Sequence, residues 1–201
     1  RSSASCSLMR GYASRSASSR ARRPRAFDRI ATFRHPHRAG VPPRAHPSMT
    51  SSARKPARAW RVLQSPVHGR GVFAARTIRK GETVIEYRGK RMTWDEACEQ
   101  PASDESDPYH TFLFSLDDGR VIDAAIGGNA ARWINHSCAP NCETYEDDRG
   151  RVYVAARRKI RPGEELSYDY RLEIEGKVGK RMRKAYACRC GARRCRGTML
   201  A

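Results

Sequence analysis

Three thiols within eight residues, Cys188, Cys190 and Cys195 in "CRCGARRC", constrain this chain more than any other feature. A structural zinc ion takes four ligands in a tetrahedron, often thiolates, and only three stand here. The fourth has to come from elsewhere, so the C-terminus must fold back onto a distant segment. "ARWINHSCAPNC" offers Cys138 and Cys142 for that role, and spacing does not choose between them. C-x-C is tighter than the common C-x2–4-C finger spacing, yet three clustered thiols in a chain of reducing character still favour a metal over pairing. Seven cysteines so unevenly placed do not make the framework of a small secreted domain. Closing such a site would also draw the terminus across Asn135 and His136, which precede Cys138 by three and two residues.

The rest of the chain divides by charge. Of 40 Lys+Arg and 21 Asp+Glu, residues 1–55 hold 13 basic and one acidic residue, Asp28. The first quarter therefore carries +12 of the net +19, and the remainder only +7. Residues 1–55 are Arg-, Ser-, Ala-, Pro- and His-rich without a period of 2 or 3.6. Such a segment buries too little apolar surface to offset its ordering entropy, and it is expected to be a disordered basic tail. An anion-binding arm and a transit-like leader both fit it. So does a third reading, in which translation starts at Met49 and residues 1–48 are not made. No apolar run reaches the roughly 18–20 residues of a membrane span, and no secretory apolar region follows the basic start.

From Trp60 onward the pattern is that of a mostly β domain. "GVFAAR" and "ETVIEYRG", parted by "RKGE", read as strand–turn–strand. "TWDEACEQ" reads as a helix capped by Thr93, with Glu96 completing a capping box. In "HTFLFSLDDGRVIDA" the alternation of Phe112, Phe114 and Leu116 and the Asp118-Gly119 turn predict a hairpin. "NAARWI" predicts a short helix before Asn135, and "RVYVAARRKIRPGEELSYDY" two strands around Pro162-Gly163. In "ELSYDY" alternation puts Leu166, Tyr168 and Tyr170 on one face and Asp169 on the other. Those tyrosines serve equally as amphipathic core or as the aromatic lining of a channel for a cation. In "SPVHGRGVFA", Gly69 and Gly71 flank Arg70 and would let the backbone turn or pass close to a ligand. No third glycine or helix follows, so this is not a dinucleotide fingerprint.

Taken together and in order, "HGRGVFA", "GETVIEYRG", "VIDAAIGGNAARWINHSCAPNC", "EELSYDY" and "CRCGARRC" resemble the SET-domain protein lysine methyltransferases, from about Arg58 to about Met199. The resemblance is to the compact form with a post-SET zinc cluster and no cysteine-rich pre-SET segment, as in trithorax-like enzymes and short bacterial relatives. It implies a SET fold of several short sheets with a pseudoknot over residues 58–172, and a small zinc-binding post-SET segment over 184–201. It implies S-adenosylmethionine held by His68, Gly69, Arg70, Gly71, Phe112, Asn135, His136 and Arg189. It implies zinc on Cys138, Cys188, Cys190 and Cys195, leaving Cys142 a bystander. Tyr170 matches the catalytic tyrosine, and Tyr168 the position where Tyr or Phe sets how many methyl groups are added. One departure is Phe112, where many members carry Tyr: a hydroxyl near the amine is lost, and Tyr109 is out of register to replace it.

The implied substrate is a protein with an exposed lysine, histone-like, DNA-bound or ribosomal, with non-specific nucleic-acid contact through the basic tail and no membrane. The place implied is cytoplasmic in a bacterium and nuclear in a eukaryote, and not secreted. A +7 domain suits a basic substrate poorly unless its groove is acidic; Glu143, Glu146, Asp147 and Asp148 form one acidic stretch, which also reads as a solvated turn. The competing reading is a catalytically weak or inactive SET-fold module that binds nucleic acid or an acidic partner. Asn135, His136 and Tyr170, all present, argue against it.

Overall fold

The computed structural model describes residues 58–101, 109–174 and 177–201; the expectation for the basic tail lies outside them. Among these residues the chain forms four short sheets and two six-residue helices. No helix of the described residues is long and apolar enough to cross a membrane.

Strands β1 (Trp60–Gln64) and β2 (Arg70–Ala74) form an antiparallel pair in register from Trp60↔Ala74 to Gln64↔Arg70. Their connection contains Gly69 at φ 44, a left-handed conformation that favours glycine. β3 (Thr83–Tyr87) is a strand as the sequence suggests, but it does not pair with β2. It joins β9 (Val152–Ala156), which also pairs with β8 (Cys142–Glu146), giving the order β3-β9-β8. The cause is a reciprocal backbone pairing of Ile78 with Ile160, both fully buried, at 2.9 Å each way. Burying these two side chains together turns the segment before β3 away from β2. Beyond Ile160, Gly163 at φ 85 reverses the chain, and its N–H donates to Ala74 O (2.8 Å). The segment after Pro162 therefore runs beside β2 rather than beside β9.

The third sheet has the order β4-β6-β5, from Lys90–Met92, Val121–Asp123 and Leu113–Ser115. Its β5–β6 hairpin turns at Asp118-Gly119 (Gly119 φ 82), with Leu116 N–H to Arg120 O at 2.8 Å. Helix α1 (Trp94–Glu99) packs Ala97 against Met92, Leu113 and Val121. Six residues are too few for an isolated helix, and the predicted capping box is present: Glu96 N–H donates to Thr93 Oγ1, and Thr93 N–H to the Glu96 carboxylate.

The last sheet joins distant segments. β7 (Asn135–His136) lies parallel to β10 (Ser167–Tyr168), with Ser167↔Asn135 and Tyr168↔His136 in register. Parallel bridging of Leu172 with Leu200, and antiparallel bridging of Ala187 with Thr198, bring the C-terminus alongside. The segments that the expected pseudoknot would bring together are thus neighbours. Helix α2 (Lys180–Ala185) leads into Tyr186, which is buried in the main core with Leu172 and Leu200.

Two glycines permit the approach of the chain that leads to β7. A Cβ on Gly128 would run into the backbone of Ala124, and one on Gly89 into the backbone of Asp123 and Ala124. Backbone on both sides cannot yield as a side-chain tip would. Gly128→Ala is expected to cost about 1–3 kcal/mol, the range of overpacking, read as a lower midpoint in urea denaturation.

Candidate active site and metal centre

The 3-10 turn Ala130–Trp133 sets the approach to β7. Asn129 caps it, accepting from Ala131 N–H (3.2 Å) and donating to Glu86 O (2.7 Å), so the turn is tied to β3. Asn135 then projects its amide nitrogen toward four acceptors: Glu165 Oε1 (2.8 Å), Arg70 O (3.0 Å), Ser65 Oγ (3.1 Å) and His68 O (3.3 Å). Two amide protons shared among four acceptors hold the Ser65–Gly71 loop against the "EELSYDY" segment. Ser65 Oγ also donates to Glu165 Oε1 (2.8 Å). Gly71 leaves room for the Glu165 carboxylate: a Cβ there would overlap it and displace it from Asn135 and Ser65.

His136 is 4% exposed. Its Nδ1 accepts the N–H of Tyr170 (3.1 Å), so the ring proton sits on Nε2, which faces Cys138 Sγ at 3.4 Å. Burial holds its pKa down at about 4, against the pull of Asp169, whose Oδ1 is 3.6 Å from Nδ1. The imidazole is neutral at ordinary pH. Tyr170 donates its hydroxyl to Ile134 O (2.8 Å), and its ring meets His136 edge-on at 5.3 Å and Tyr168 at 5.0 Å. Burial pushes the phenols of Tyr87, Tyr168 and Tyr170 above their ordinary range, so each keeps its proton. Tyr87 donates to Phe112 O (2.9 Å).

The four cysteines of the expected cluster come together: Cys138, Cys188, Cys190 and Cys195 have all their sulfurs within 4.8 Å of one another. Cys138 Sγ lies 3.7 Å from Cys188 Sγ and 3.8 Å from Cys195 Sγ. Zinc–sulfur bonds of about 2.3 Å in a tetrahedron imply sulfur–sulfur edges of about 3.8 Å, so the thiols fit such an ion. Each sulfur also receives at least one backbone N–H. Cys138 donates to Cys190 Sγ, Cys190 to Cys188 Sγ, Arg196 to Cys138 Sγ and Gly197 to Cys195 Sγ, at 3.3–3.4 Å. Burial acts to raise the Cys190 thiol, but the N–H groups of Cys138 and Ala192 bring it down to about 6. Cys142 stands apart in β8, where burial pushes its thiol up to about 12. Arg196 then grips Asp169 with two 2.7 Å hydrogen bonds, linking the cysteine loop to the segment just after β10 that carries Tyr170.

One cleft lies where these parts meet. Of the residues expected at a cofactor site, His68, Asn135, His136 and Arg189 line it, and so does Tyr170. Gly69, Arg70 and Gly71, expected at the same site, are not among its lining residues; they belong to the loop that Asn135 holds, with the Arg70 guanidinium 5.2 Å over the Trp133 ring. Phe112 is one layer back, in a ring series His68–His110–Phe112–Trp133 with centroids 4.8–5.2 Å apart. Tyr168 is behind Tyr170 and close to Phe114. Sequence reasoning missed several lining residues, His110, Thr111, Lys184 and Tyr186, and considered Tyr109 only as a substitute for Phe112. Tyr109 does not take the place of Phe112; it stands edge-on to Tyr186 at 5.6 Å, forming one wall. No local signal marks Tyr186, although its place two residues before Cys188 fixes it once the cysteine loop is closed.

Comparison with known proteins places this geometry. The SET-domain family model matches residues 69–171. The chain is 40% identical over 159 residues to histone-lysine N-methyltransferase trr of Drosophila melanogaster, covering 76% of this chain and 6% of that protein. It is 40% identical over 138 residues to histone-lysine N-methyltransferase 2B of Homo sapiens, covering 67% and 5%. It is 37% identical over 138 residues to the trithorax histone-lysine N-methyltransferase of Drosophila melanogaster, covering 67% and 4%. The chain thus spans a small fraction of the length of these curated relatives.

The sulfur geometry predicts that the purified chain carries about one zinc ion, measured by inductively coupled plasma mass spectrometry. Cys138→Ser is expected to lose most of that zinc, whereas Cys142→Ser retains it. Equal zinc in both variants would show the wrong cysteine to be the fourth ligand.

Proposed function

The chain belongs to the SET-domain family, and on that footing we propose that it is a protein-lysine N-methyltransferase using S-adenosylmethionine, with a zinc ion in the cysteine cluster. The single observation that carries the reading is the convergence on one cleft of Asn135, neutral His136 and Tyr170, backed directly by the four cysteines. A mere binding module has no need of that convergence. The donor set suits the cofactor: an exposed guanidinium at Arg189, stacking rings at His68, Tyr109 and Tyr186, and hydrogen-bonding groups at Asn135 and His136. When bound, the cofactor supplies an electrophilic methyl group for in-line displacement by an amine.

The protein's share is alignment and desolvation. Fixing two reactants in line converts a bimolecular step into an effectively unimolecular one. Asn135 and His136 are immobilised on both sides, by the Ser65–Gly71 loop and by the cysteine cluster, so they offer a rigid floor. Tyr170 keeps its proton and cannot act as a base; it orients by its ring and by the hydroxyl bound to Ile134 O. A substrate lysine with an ordinary pKa of about 10.4 must arrive deprotonated. An aromatic, water-poor setting disfavours its ammonium form, and the proton leaves through water rather than to a side chain. The cysteine cluster would hold zinc structurally, since four sulfurs leave no open position for substrate. By the names of its relatives, a histone or another lysine-bearing protein of chromatin is the substrate class to try first.

The test is incubation with methyl-labelled cofactor and either histones or fractionated lysate. Transfer by the native chain should fall about 100-fold or more in Tyr170→Phe, the range for removing one oriented donor. Unchanged thermal unfolding in the variant would exclude misfolding. No protein labelling above that variant in any fraction would reject the enzymatic reading. Tyr168 predicts a low methylation state, because its hydroxyl can retain water where a further methyl would go. Mass spectrometry of the product should therefore show chiefly monomethyl-lysine, shifting toward higher states in Tyr168→Phe. A mainly trimethylated product from the native chain would reject this role for Tyr168.

A further inference from the structure

Residues 177–201 contain nine basic residues and no acidic one. They fold as α2 and the cysteine loop, so this excess is gathered on one part of the molecule. On α2, Met182 and Ala185 turn toward the core, while Lys180, Arg183 and Lys184 stand at i, i+3 and i+4 and are exposed. Residues at that spacing share one helical face, and like charges there repel one another. Arg189, Arg193 and Arg194 on the cysteine loop are exposed as well. None of these six makes an ion pair among the described residues, whereas Arg196 of the same loop is held by Asp169. Elsewhere on the domain several arginines find carboxylates: Arg76 with Glu82, Arg120 with Asp118, Arg151 with Asp147 and Arg158 with Glu164. Other exposed cations, such as Arg61, Lys80, Arg149 and Lys159, also stand without an ion pair among the described residues, but acidic residues lie close to them in sequence or along the strands. What sets residues 177–201 apart is nine basic residues with no acidic one among them. A zinc tetrathiolate would contribute −2 and offset only part of the excess.

We propose that this face, α2 with the Arg193-Arg194 turn, binds the phosphate backbone of duplex nucleic acid without reading sequence. Two features favour that occupant. The large apolar side chains exposed among the described residues are Leu63, Ile126 and Tyr145, all outside residues 177–201. Amphipathic membrane-surface helices set an apolar face beside the charge and single-strand binders set exposed rings for base stacking, and this face shows neither. Attraction to anionic lipid by charge alone is the alternative that the vesicle arm of the test decides. Cations alone suit closely spaced phosphates, where affinity comes from counterion release. Lys184 and Arg189 also line the cleft, so a bound duplex would lie at its rim and present proteins seated on that duplex. The inference is independent of the catalytic reading and holds for an inactive domain too.

The test is fluorescence anisotropy of a labelled ~30-base-pair duplex of arbitrary sequence, titrated with the full chain at several salt concentrations. The comparison is with the full chain bearing Lys180→Ala, Arg183→Ala, Arg193→Ala and Arg194→Ala together, its zinc content and unfolding midpoint checked against the native chain. Each lost phosphate contact flattens the slope of log K against log salt by about 0.9. The proposal expects a slope shallower by about 3 and binding at least ~10-fold weaker at 0.1 M salt, with the same loss on a second unrelated sequence. An unchanged slope and affinity would assign all nucleic-acid binding to residues 1–55 and overturn the proposal. So would an equal or larger dependence on these four cations for polyglutamate, or for vesicles of one-third phosphatidylserine. If the variant loses zinc or stability, the charge-conserving set Lys180→Arg, Arg183→Lys, Arg193→Lys and Arg194→Lys decides: retained affinity and slope support the proposal, and their loss in a folded variant overturns it.

Discussion

His136 has two ring nitrogens, and each serves a different half of the site. Nδ1 accepts the backbone N–H of Tyr170, and Nε2 points its proton at Cys138 sulfur. A neutral ring can do both at once only in the Nε2-protonated tautomer. Burial keeps the ring in that neutral form. A second proton would remove the acceptor for Tyr170 and put a cation beside the sulfur cluster. The segment after β10 that carries Tyr170 and the loop carrying the thiols are thus referred to one rigid plane. Arg196 reinforces the link from the outer side: its backbone donates to Cys138 and its guanidinium holds Asp169.

Asn135 does the same work on the other flank. Its amide reaches the carbonyls of His68 and Arg70 and the carboxylate of Glu165. Glu165 is held in turn by Ser65, and a glycine at position 71 lets the carboxylate approach. Polar groups partly removed from water are costly unless satisfied, and here each satisfies another. The outcome is a loop with little side-chain freedom lying where a ligand would sit. Pre-organisation of this kind lowers the entropic cost of binding.

The sequence was most legible where structure is local. The Thr93–Glu96 capping box, the Asp118-Gly119 hairpin and the alternation through Leu166, Tyr168 and Tyr170 depend on neighbours within a few residues, and all are present. Pairing across the chain was not legible. Strand β3 looked like the partner of β2 because they are adjacent in sequence, but the buried Ile78–Ile160 pair redirects it. The acidic stretch that read as a solvated turn begins inside β8, where Glu143 and Glu146 belong to a strand. His110 and Tyr186 escaped notice, and Tyr109 was weighed only as a substitute for Phe112, for the same reason: only tertiary closure brings them to one cleft. Local pattern could not choose between Cys138 and Cys142, a choice that the family resemblance made. The structure gives its physical content: four sulfurs each with a backbone donor, against one thiol sealed in a strand.

The sequence distance between the cluster's members has a consequence for how the molecule assembles. Cys138 and Cys188 are 50 residues apart in sequence. Drawing the ends of such a loop together costs about 3.5 kcal/mol in chain entropy, before any constant for the stiff ends. The two-residue parallel pairing of β7 with β10 returns only a few hydrogen bonds against that cost. Contacts so distant in sequence tend to form after the local hairpins, β1–β2, β5–β6 and β8–β9, whose partners are near in the chain. An ion captured by four thiolates would close this loop and supply free energy that the strand pairing lacks. With the proposed zinc ion, the cleft would be a product of a late folding step, and the availability of metal would decide whether a chain with intact sheets also acquires its working surface.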